Sequence, residues 1–340
     1  KRWRHMKDPL WNKKFSHIYV ETEIRNHPKT VEILSHFPSA VIIEIQKYKD
    51  IFNRKHQSNR LQYQSQSLIL AKKSYDFLYK GSPVCQSFNE EYFYYCSNVM
   101  NCVYDCEYCF LKGMYGSSNI VVFVNLEEYF TEIENVLQQH PLYVCASYDT
   151  DLLALEPYLG VAKQWGEFAE NHSDFLVEIR TKGASIENVH ALPAISNCIV
   201  ACTISSDYVQ RKYEHHTPSI DARLALLKQM MQEGYSVRVC LDPVIPVGNW
   251  KEDYGAVIEK LVNTLDIEQV RDFSIGTFRI SKEYMKTMRE QYPCSGLLQY
   301  PYVCENGFYH LPHEKDVEVW CKKALMEKGV QEEKIFIWKE

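Results

Sequence analysis

No run of roughly 18 consecutive apolar residues occurs in the 340-residue sequence, so a membrane-spanning helix is not expected. A secretory leader is also lacking, and a soluble cytoplasmic protein is expected. The chain has no excess of positive charge. Its 38 Lys and Arg against 44 Asp and Glu give −6, which argues against a protein that coats nucleic acid indiscriminately. A local basic groove remains compatible with that balance. Two stretches are basic, 1–14 (KRWRHMKDPLWNKK) and 47–60 (KYKDIFNRKHQSNR), and each fits either a phosphate-tracking surface or a solvated face. The residues ahead of Met6 are given no weight. Internal repeats and low-complexity tracts are missing, and the twelve cysteines do not form the dense framework of a small disulfide-bonded domain. Free thiols are expected.

What is present is a strand–helix alternation with a 46% hydrophobic composition, enough for a large core. HIYVET (17–22), AVIIEIQ (40–46) and SLILAKK (67–73) read as strands of an N-terminal α/β extension, residues 1–91, with a helix over 28–37. A core over 92–291 follows, with strands expected at 92–97, 120–125, 142–148, 175–180, 198–205, 235–242 and 271–278. Helices are expected between them at 126–139, 156–170, 185–190, 219–233 and 251–264, and after them at 281–290. Consecutive β–α–β units imply a parallel sheet with right-handed crossovers, here an open, partial TIM-type barrel of about six βα units. The C-terminal region, 292–340, reads as an aromatic hairpin, a helix (314–328) and a strand (334–339) packing on the core and lining the substrate site.

In such barrels chemistry sits at the C-terminal ends of the strands. There the sequence places NCVYDCEYCFLKGMY, with Cys102, Cys106 and Cys109 in a Cys-x3-Cys-x2-Cys pattern. Three thiolates can hold three irons of a 4Fe-4S cluster and leave the fourth open to chelation by S-adenosyl-L-methionine (AdoMet). With Tyr108 just before the last cysteine, the motif resembles the radical SAM superfamily. Zinc is the alternative, although it usually takes four ligands in paired knuckles and no second knuckle follows. Cys294, Cys304 and Cys321 are too loosely spaced for a second cluster. His215-His216 and His310-x2-His313 read as surface or loop histidines.

The order and spacing of further segments resemble the spore photoproduct lyase family of radical SAM DNA repair enzymes. These segments are HIYVET, FVNLEE, ASYDTDLLALE, RTK, TISSDYVQRKYEHHTPSIDAR and DPVIPVGNWKEDY. The resemblance implies cleavage of 5-thyminyl-5,6-dihydrothymine into two thymines. A 5′-deoxyadenosyl radical would abstract the C6 hydrogen, β-scission would follow, and a hydrogen atom would be returned. It also implies UV-damaged double-stranded DNA as partner, an electron donor such as ferredoxin or flavodoxin, and a place in the spore core; a monomer is the default expectation. Carried over residue by residue, Cys102, Cys106 and Cys109 are the cluster ligands. Tyr108 is an active-site tyrosine beside them, and Lys182 stands near AdoMet and substrate. Thr150 and Thr203 stand where the family has serines near AdoMet. Asp242 occupies a position where the family can have alanine, and its carboxylate could accept from the AdoMet ribose or amino group. Helix capping by the threonines and turn formation by Asp242 before Pro243 are the ordinary readings.

Two departures stand out. Tyr148 replaces the family's hydrogen-donor cysteine, and Phe110 replaces a redox-capable tyrosine. A substitute donor is then needed, either Tyr148 itself or Cys85 in the loop before the first core strand. Cys145, three residues from Tyr148, is expected on the opposite strand face. The C-terminal region also lacks the family's Arg-Tyr pair, leaving Tyr300, Tyr302, Phe308 and Tyr309 to stack on bases or simply to pack. A radical SAM enzyme with another substrate, or a metal-bound DNA-damage binding module, are the rival readings.

Overall fold

The computed structural model describes residues 15–81 and 85–338. The basic stretch 1–14 and residue 339 of the last expected strand lie outside the described residues. Among the described residues no helix is long and apolar enough to cross a membrane.

Two sheets organise the chain. The first runs in the order Val41–Ile45, His17–Glu21, Leu68–Ala71, Ile120–Phe123, Val99–Met100. Its first four strands are parallel and the last is antiparallel. The second has eight strands, in the order Ile335–Ile337, Asp272–Thr277, Ser236–Val244, Cys198–Thr203, Phe175–Thr181, Leu142–Cys145, Phe93–Tyr95, Tyr79–Lys80. All its neighbours are parallel except the two-residue strand Tyr79–Lys80. This sheet curls into an open half-barrel.

One strand is not where the simple alternation placed it. Ile120–Phe123 was expected in the barrel series, yet it pairs with Leu68–Ala71 in the first sheet. All four of its residues are buried. A uniformly apolar strand satisfies either sheet, so pattern alone does not choose. The barrel instead passes from Phe93–Tyr95 to Leu142–Cys145. The cysteine loop therefore lies between two strands of the first sheet, Val99–Met100 and Ile120–Phe123, and it is tied at both ends.

The helix expected over 156–170 is two helices, Leu152–Leu159 and Val161–Glu170. Gly160 breaks them at φ 55°, a left-handed conformation glycine adopts without a Cβ penalty. Asp151, Ser219 and Ser281 accept from the backbone N–H three residues on and start the helices that follow them. Near the C-terminus, Val303–Glu305 and Phe308–His310 form the expected hairpin, with Asn306 at φ 48° and Gly307 at φ 83°. Positive φ at both central residues gives the tight turn that Asn-Gly favours. The helix Glu314–Glu327 then leads to Ile335–Ile337, which extends the half-barrel beyond Asp272–Thr277.

The concave face of the half-barrel is polar at depth. Register places Glu178 beside Cys145 and Ile199, Arg180 beside Ala201, and Arg238 beside Ala201 and Asp272. Arg238 donates to Asp272 through Nε and Nη2 at 2.5 and 2.9 Å, to the Tyr143 hydroxyl at 2.8 Å, and to Glu178. Its guanidinium carbon lies 3.2 Å from the Phe88 ring centroid. A buried cation is tolerated here because paired carboxylates and a phenol satisfy it.

Candidate active site

A cavity of ≈ 690 Å³ opens at the C-terminal ends of the barrel strands. Cys102, Cys106 and Cys109 line one wall of it. Their loop is held from both sides. Gln66 Nε2 donates to the Cys102 carbonyl at 3.0 Å and the Ser118 carbonyl at 2.8 Å. Asn101, at φ 69°, donates to the carbonyls of Ser117 and Asn119 at 2.7 and 2.8 Å. On the other side Asp105–Cys106 pairs antiparallel with Glu214–His215. Glu214 is fully buried; it accepts from the Tyr108 hydroxyl, from Ser205 Oγ at 3.0 Å, and from Arg223. Glu107 bridges His215 at 2.9 Å and Ser295 at 2.5 Å.

Burial pushes all three thiols up, Cys106 to about 12, so in the protein alone they are neutral. Burial alone would lower Lys182, but nearby acidic groups, the Glu214 carboxylate among them, outweigh it and raise the amine. Its Nζ lies 5.4 Å from the Tyr108 ring centroid. Thr150, Thr203 and Asp242 line the same cavity, as does Phe110, whose ring centroid is 5.7 Å from that of Tyr148. Thr150 Oγ1 and Ser274 Oγ are buried without a protein partner. Orphaned hydroxyls beside a cavity lined by three thiols, with an amine among them, fit a sulfur-ligated cluster and a polar ligand lying over it. Among the described residues no three His, Cys, Asp or Glu side chains converge on a point where one metal ion could be held.

Cys85 and Tyr148 meet in this cavity. The Cys85 thiol donates to the Tyr148 hydroxyl at 3.5 Å. Tyr148 stacks on Tyr95, centroids 4.1 Å apart at 29°, and Tyr95 stacks on Tyr79 at 5.1 Å. Burial raises both Cys85 and Tyr148 above their ordinary values, so each keeps its hydrogen at neutral pH. The strand-face argument for Cys145 is corrected. The strand ends at Cys145 and residues 146–149 form a turn, so alternation does not reach Tyr148. Both side chains line the cavity, and Cys145 Sγ lies 3.8 Å from Glu178 Oε1.

A sequence profile of the family described as spore photoproduct lyase matches residues 16–300. The chain belongs to this family. The spore photoproduct lyase of Clostridium acetobutylicum is 23% identical over 199 residues, 57% of this chain and 59% of that protein. The lyase of a Geobacillus species is 23% identical over 200 residues, 56% of this chain and 58% of that protein. The matched region thus spans less than two thirds of the length of either relative. A solved double mutant of spore photoproduct lyase, with bound AdoMet and dinucleoside spore photoproduct, superposes with TM-score 0.81 at 18% identity, covering 95% of this chain and 98% of that one. A second structure, complexed with the dinucleoside photoproduct, gives TM-score 0.81 at 18% identity over 96% and 99%. These likenesses place the half-barrel fold in the family.

Four features of the site are not evident from the sequence. Arg180 lies between Glu178 and Asp242 on the cavity wall. Its period-two spacing from Glu178 and Lys182 was the available signal. Glu214, Ser274 and the room left by Gly276 beside Asp242 gave no local signal at all. At the mouth, Phe308 lines the cavity and is 39% exposed. The other aromatics of that region pack more closely: Tyr302 lies 5.2 Å from Phe278 and 5.3 Å from Tyr300, and Arg289 sits over Tyr309. In the stretch 47–60, Arg54, Lys55, His56 and Arg60 are exposed, whereas Lys47 pairs with Glu23 at 3.5 Å.

Proposed function

We propose that this chain is a spore photoproduct lyase in activity as well as in family. It would split 5-thyminyl-5,6-dihydrothymine in UV-damaged DNA back into two thymines. The observation that carries this reading is the meeting of three cysteine thiols and a separate, fully protonated Cys85–Tyr148 pair on one cavity. Cys102, Cys106 and Cys109 would hold a 4Fe-4S cluster. Thr150, Thr203 and Lys182 offer AdoMet hydroxyls and a cation, with Tyr108 and Phe110 flanking it. When bound, the cluster and AdoMet would supply radical chemistry able to remove the C6 hydrogen of the dihydrothymine ring. Loss of that hydrogen lets the methylene bridge between the rings open and leaves a thymine radical short of one hydrogen atom.

Cys85 returns that atom. Its S–H lies where the family's donor cysteine is replaced by Tyr148, and its sulfur is hydrogen-bonded to that tyrosine's hydroxyl. Tyr148 is the next hydrogen source in line and stands in for the redox-capable tyrosine that Phe110 lacks. The buried walls exclude water from the radical, and the pairing of Cys85 with Tyr148 fixes the donor's position. The exposed cations of 47–60 would track phosphates, and Phe308 would stack at the mouth on a lesion drawn out of the duplex. The electron would come from a small carrier such as ferredoxin or flavodoxin, and the spore core is the compartment where the lesion forms.

The test is anaerobic reconstitution, then incubation with AdoMet, dithionite and synthetic spore photoproduct dinucleotide, read by mass spectrometry. Release of thymidylyl-thymidine is expected. The missing Arg-Tyr pair favours one alternative, a radical SAM enzyme with another substrate. Accumulation of 5′-deoxyadenosine over an intact lesion would establish that alternative. Zinc in place of iron and sulfide, with neither product formed, would instead indicate a damage-binding module.

A further inference from the structure

The site holds a charged pair that the hydrogen-return chemistry does not use. Glu178 and Arg180 alternate onto the concave face of the strand Phe175–Thr181, and Lys182 follows its end; all three line the cavity. Arg180 Nε donates to Glu178 Oε1 at 3.1 Å, and its Nη1 donates to Asp242 Oδ2 at 3.3 Å. The Arg180 and Asp242 side chains are about equally accessible, 30% and 31%, and both open on the cavity that Cys85 and Tyr148 line. A Cβ at position 276 would come within 2.8 Å of Asp242 Oδ1, so Gly276 leaves the room that carboxylate occupies. Two carboxylates fix the guanidinium in direction while leaving N–H donors unspent, since arginine has five.

Resting on the reading above, we propose that Arg180 and Asp242 together read the imide edge of one thymine ring of the lesion. A pyrimidine imide presents an N3–H donor flanked by carbonyl acceptors. A carboxylate acceptor beside a guanidinium donor is its complement: Asp242 accepts N3–H and Arg180 donates to the adjacent carbonyl. Both rings of 5-thyminyl-5,6-dihydrothymine keep this edge, because the crosslink and the added hydrogen lie on C5, C6 and the methyl group. Cytosine presents the reverse pattern at the same positions, an acceptor at N3 and an amino donor at C4, and the pair rejects it. Bases drawn out of a duplex are read in this way, by hydrogen bonds to the pairing edge. Phosphate is the poorer occupant, since Glu178 and Asp242 already balance the charge of Arg180.

The experiment is calorimetric titration of the reconstituted protein, with AdoMet and without reductant, by the spore photoproduct dinucleotide and by its derivatives methylated at N3 of either ring. Methylation of one ring is expected to weaken binding on the order of 10- to 100-fold. That penalty is expected to disappear in Asp242→Ala. It is also expected to disappear in the isosteric Asp242→Asn, whose amide oxygen Arg180 claims and whose NH2 then faces N3–H. Asp242→Asn keeps the cavity filled and guards against loss of fold. An unchanged penalty in both variants overturns the inference. So does a loss of AdoMet affinity with the penalty intact, which would assign the carboxylate to the cofactor. If the unmethylated dinucleotide does not bind at all, the lyase reading falls, and this inference falls with it.

Discussion

Tyr108 donates its hydroxyl to the buried carboxylate of Glu214, a residue 106 positions further along the chain. Arg223, with no accessible side-chain surface, donates to the same carboxylate and to the Thr203 carbonyl at 3.0 Å. The cysteine loop, the strand end at Thr203 and the helix that begins at Ile220 are thereby joined through one ion pair. Removing the carboxylate in Glu214→Ala leaves Arg223 charged, buried and uncompensated. Such losses cost about 3–5 kcal/mol, and urea denaturation is expected to show a drop of that order. A change under about 1 kcal/mol, the scale of a surface pair, would mean that solvent reaches Arg223.

The Cys85–Tyr148 contact makes a prediction about division of labour. Cys85→Ala removes the nearest hydrogen source, and thymine release is expected to fall at least about tenfold while 5′-deoxyadenosine still forms. Tyr148→Phe keeps the ring stacked on Tyr95 and removes only the hydroxyl, so a smaller loss is expected. The two rates of thymidylyl-thymidine formation, measured side by side, decide the order of the relay. If Tyr148→Phe is the more damaging change, the tyrosine is the direct donor.

The parts of this site that the sequence revealed are local ones. Cys102, Cys106 and Cys109 are close enough in sequence for a shared site to be proposed from their spacing, and the places of Lys182, Thr203 and Asp242 at or near the ends of their strands follow from the βα alternation, whereas Thr150 lies beyond a turn that follows Leu142–Cys145. Glu214 was invisible because its value lies in partners distant in sequence. Arg180 was passed over because a lone arginine in a strand does not announce which face is concave. Cys145 was placed on the wrong face because period-two reasoning was carried past the point where the strand stops. Ile120–Phe123 was put in the wrong sheet because burial on both faces erases the polar–apolar contrast that would have distinguished them.

Acid should loosen the barrel floor in a defined window. Burial works against ionisation of Glu178, but Arg180 and Arg238 outweigh it and hold its carboxyl at about 2, below the ordinary 4.5. The folded chain therefore binds fewer protons here than the unfolded chain does. The stability this group contributes is complete above about pH 4.5 and is lost as pH falls toward about 2. Thermal melts at stepped pH should show that decline, and Glu178→Gln should flatten its share of it. Equal slopes in both proteins would place the acid-sensitive pairing elsewhere.

Cluster assignment can be separated from folding. The cysteine loop is tied down by Gln66, Asn101 and the Glu214–His215 ladder, and none of these contacts requires metal. Replacing Cys102, Cys106 and Cys109 together by alanine is expected to abolish iron and sulfide uptake on reconstitution. The far-ultraviolet circular dichroism spectrum and cooperative melt should be retained. Iron retained in stoichiometric amount by the triple variant would place the cluster on other thiols.

On the proposed lyase reading, Phe308 would act on a lesion in duplex DNA rather than on the free lesion. It follows the Asn306-Gly307 turn, is exposed, and lines the cavity mouth. A dinucleotide enters without leaving a helix, whereas a lesion in duplex must be unstacked and held out. Stacking of a base on an aromatic ring contributes about 1–3 kcal/mol. Phe308→Ala is therefore expected to weaken binding of a lesion-bearing duplex by roughly 5- to 150-fold and to change dinucleotide binding little. Fluorescence anisotropy with both substrates tests this. A matching loss for the two would assign Phe308 to the lesion pocket itself, and no loss for either would leave it a packing residue of the hairpin.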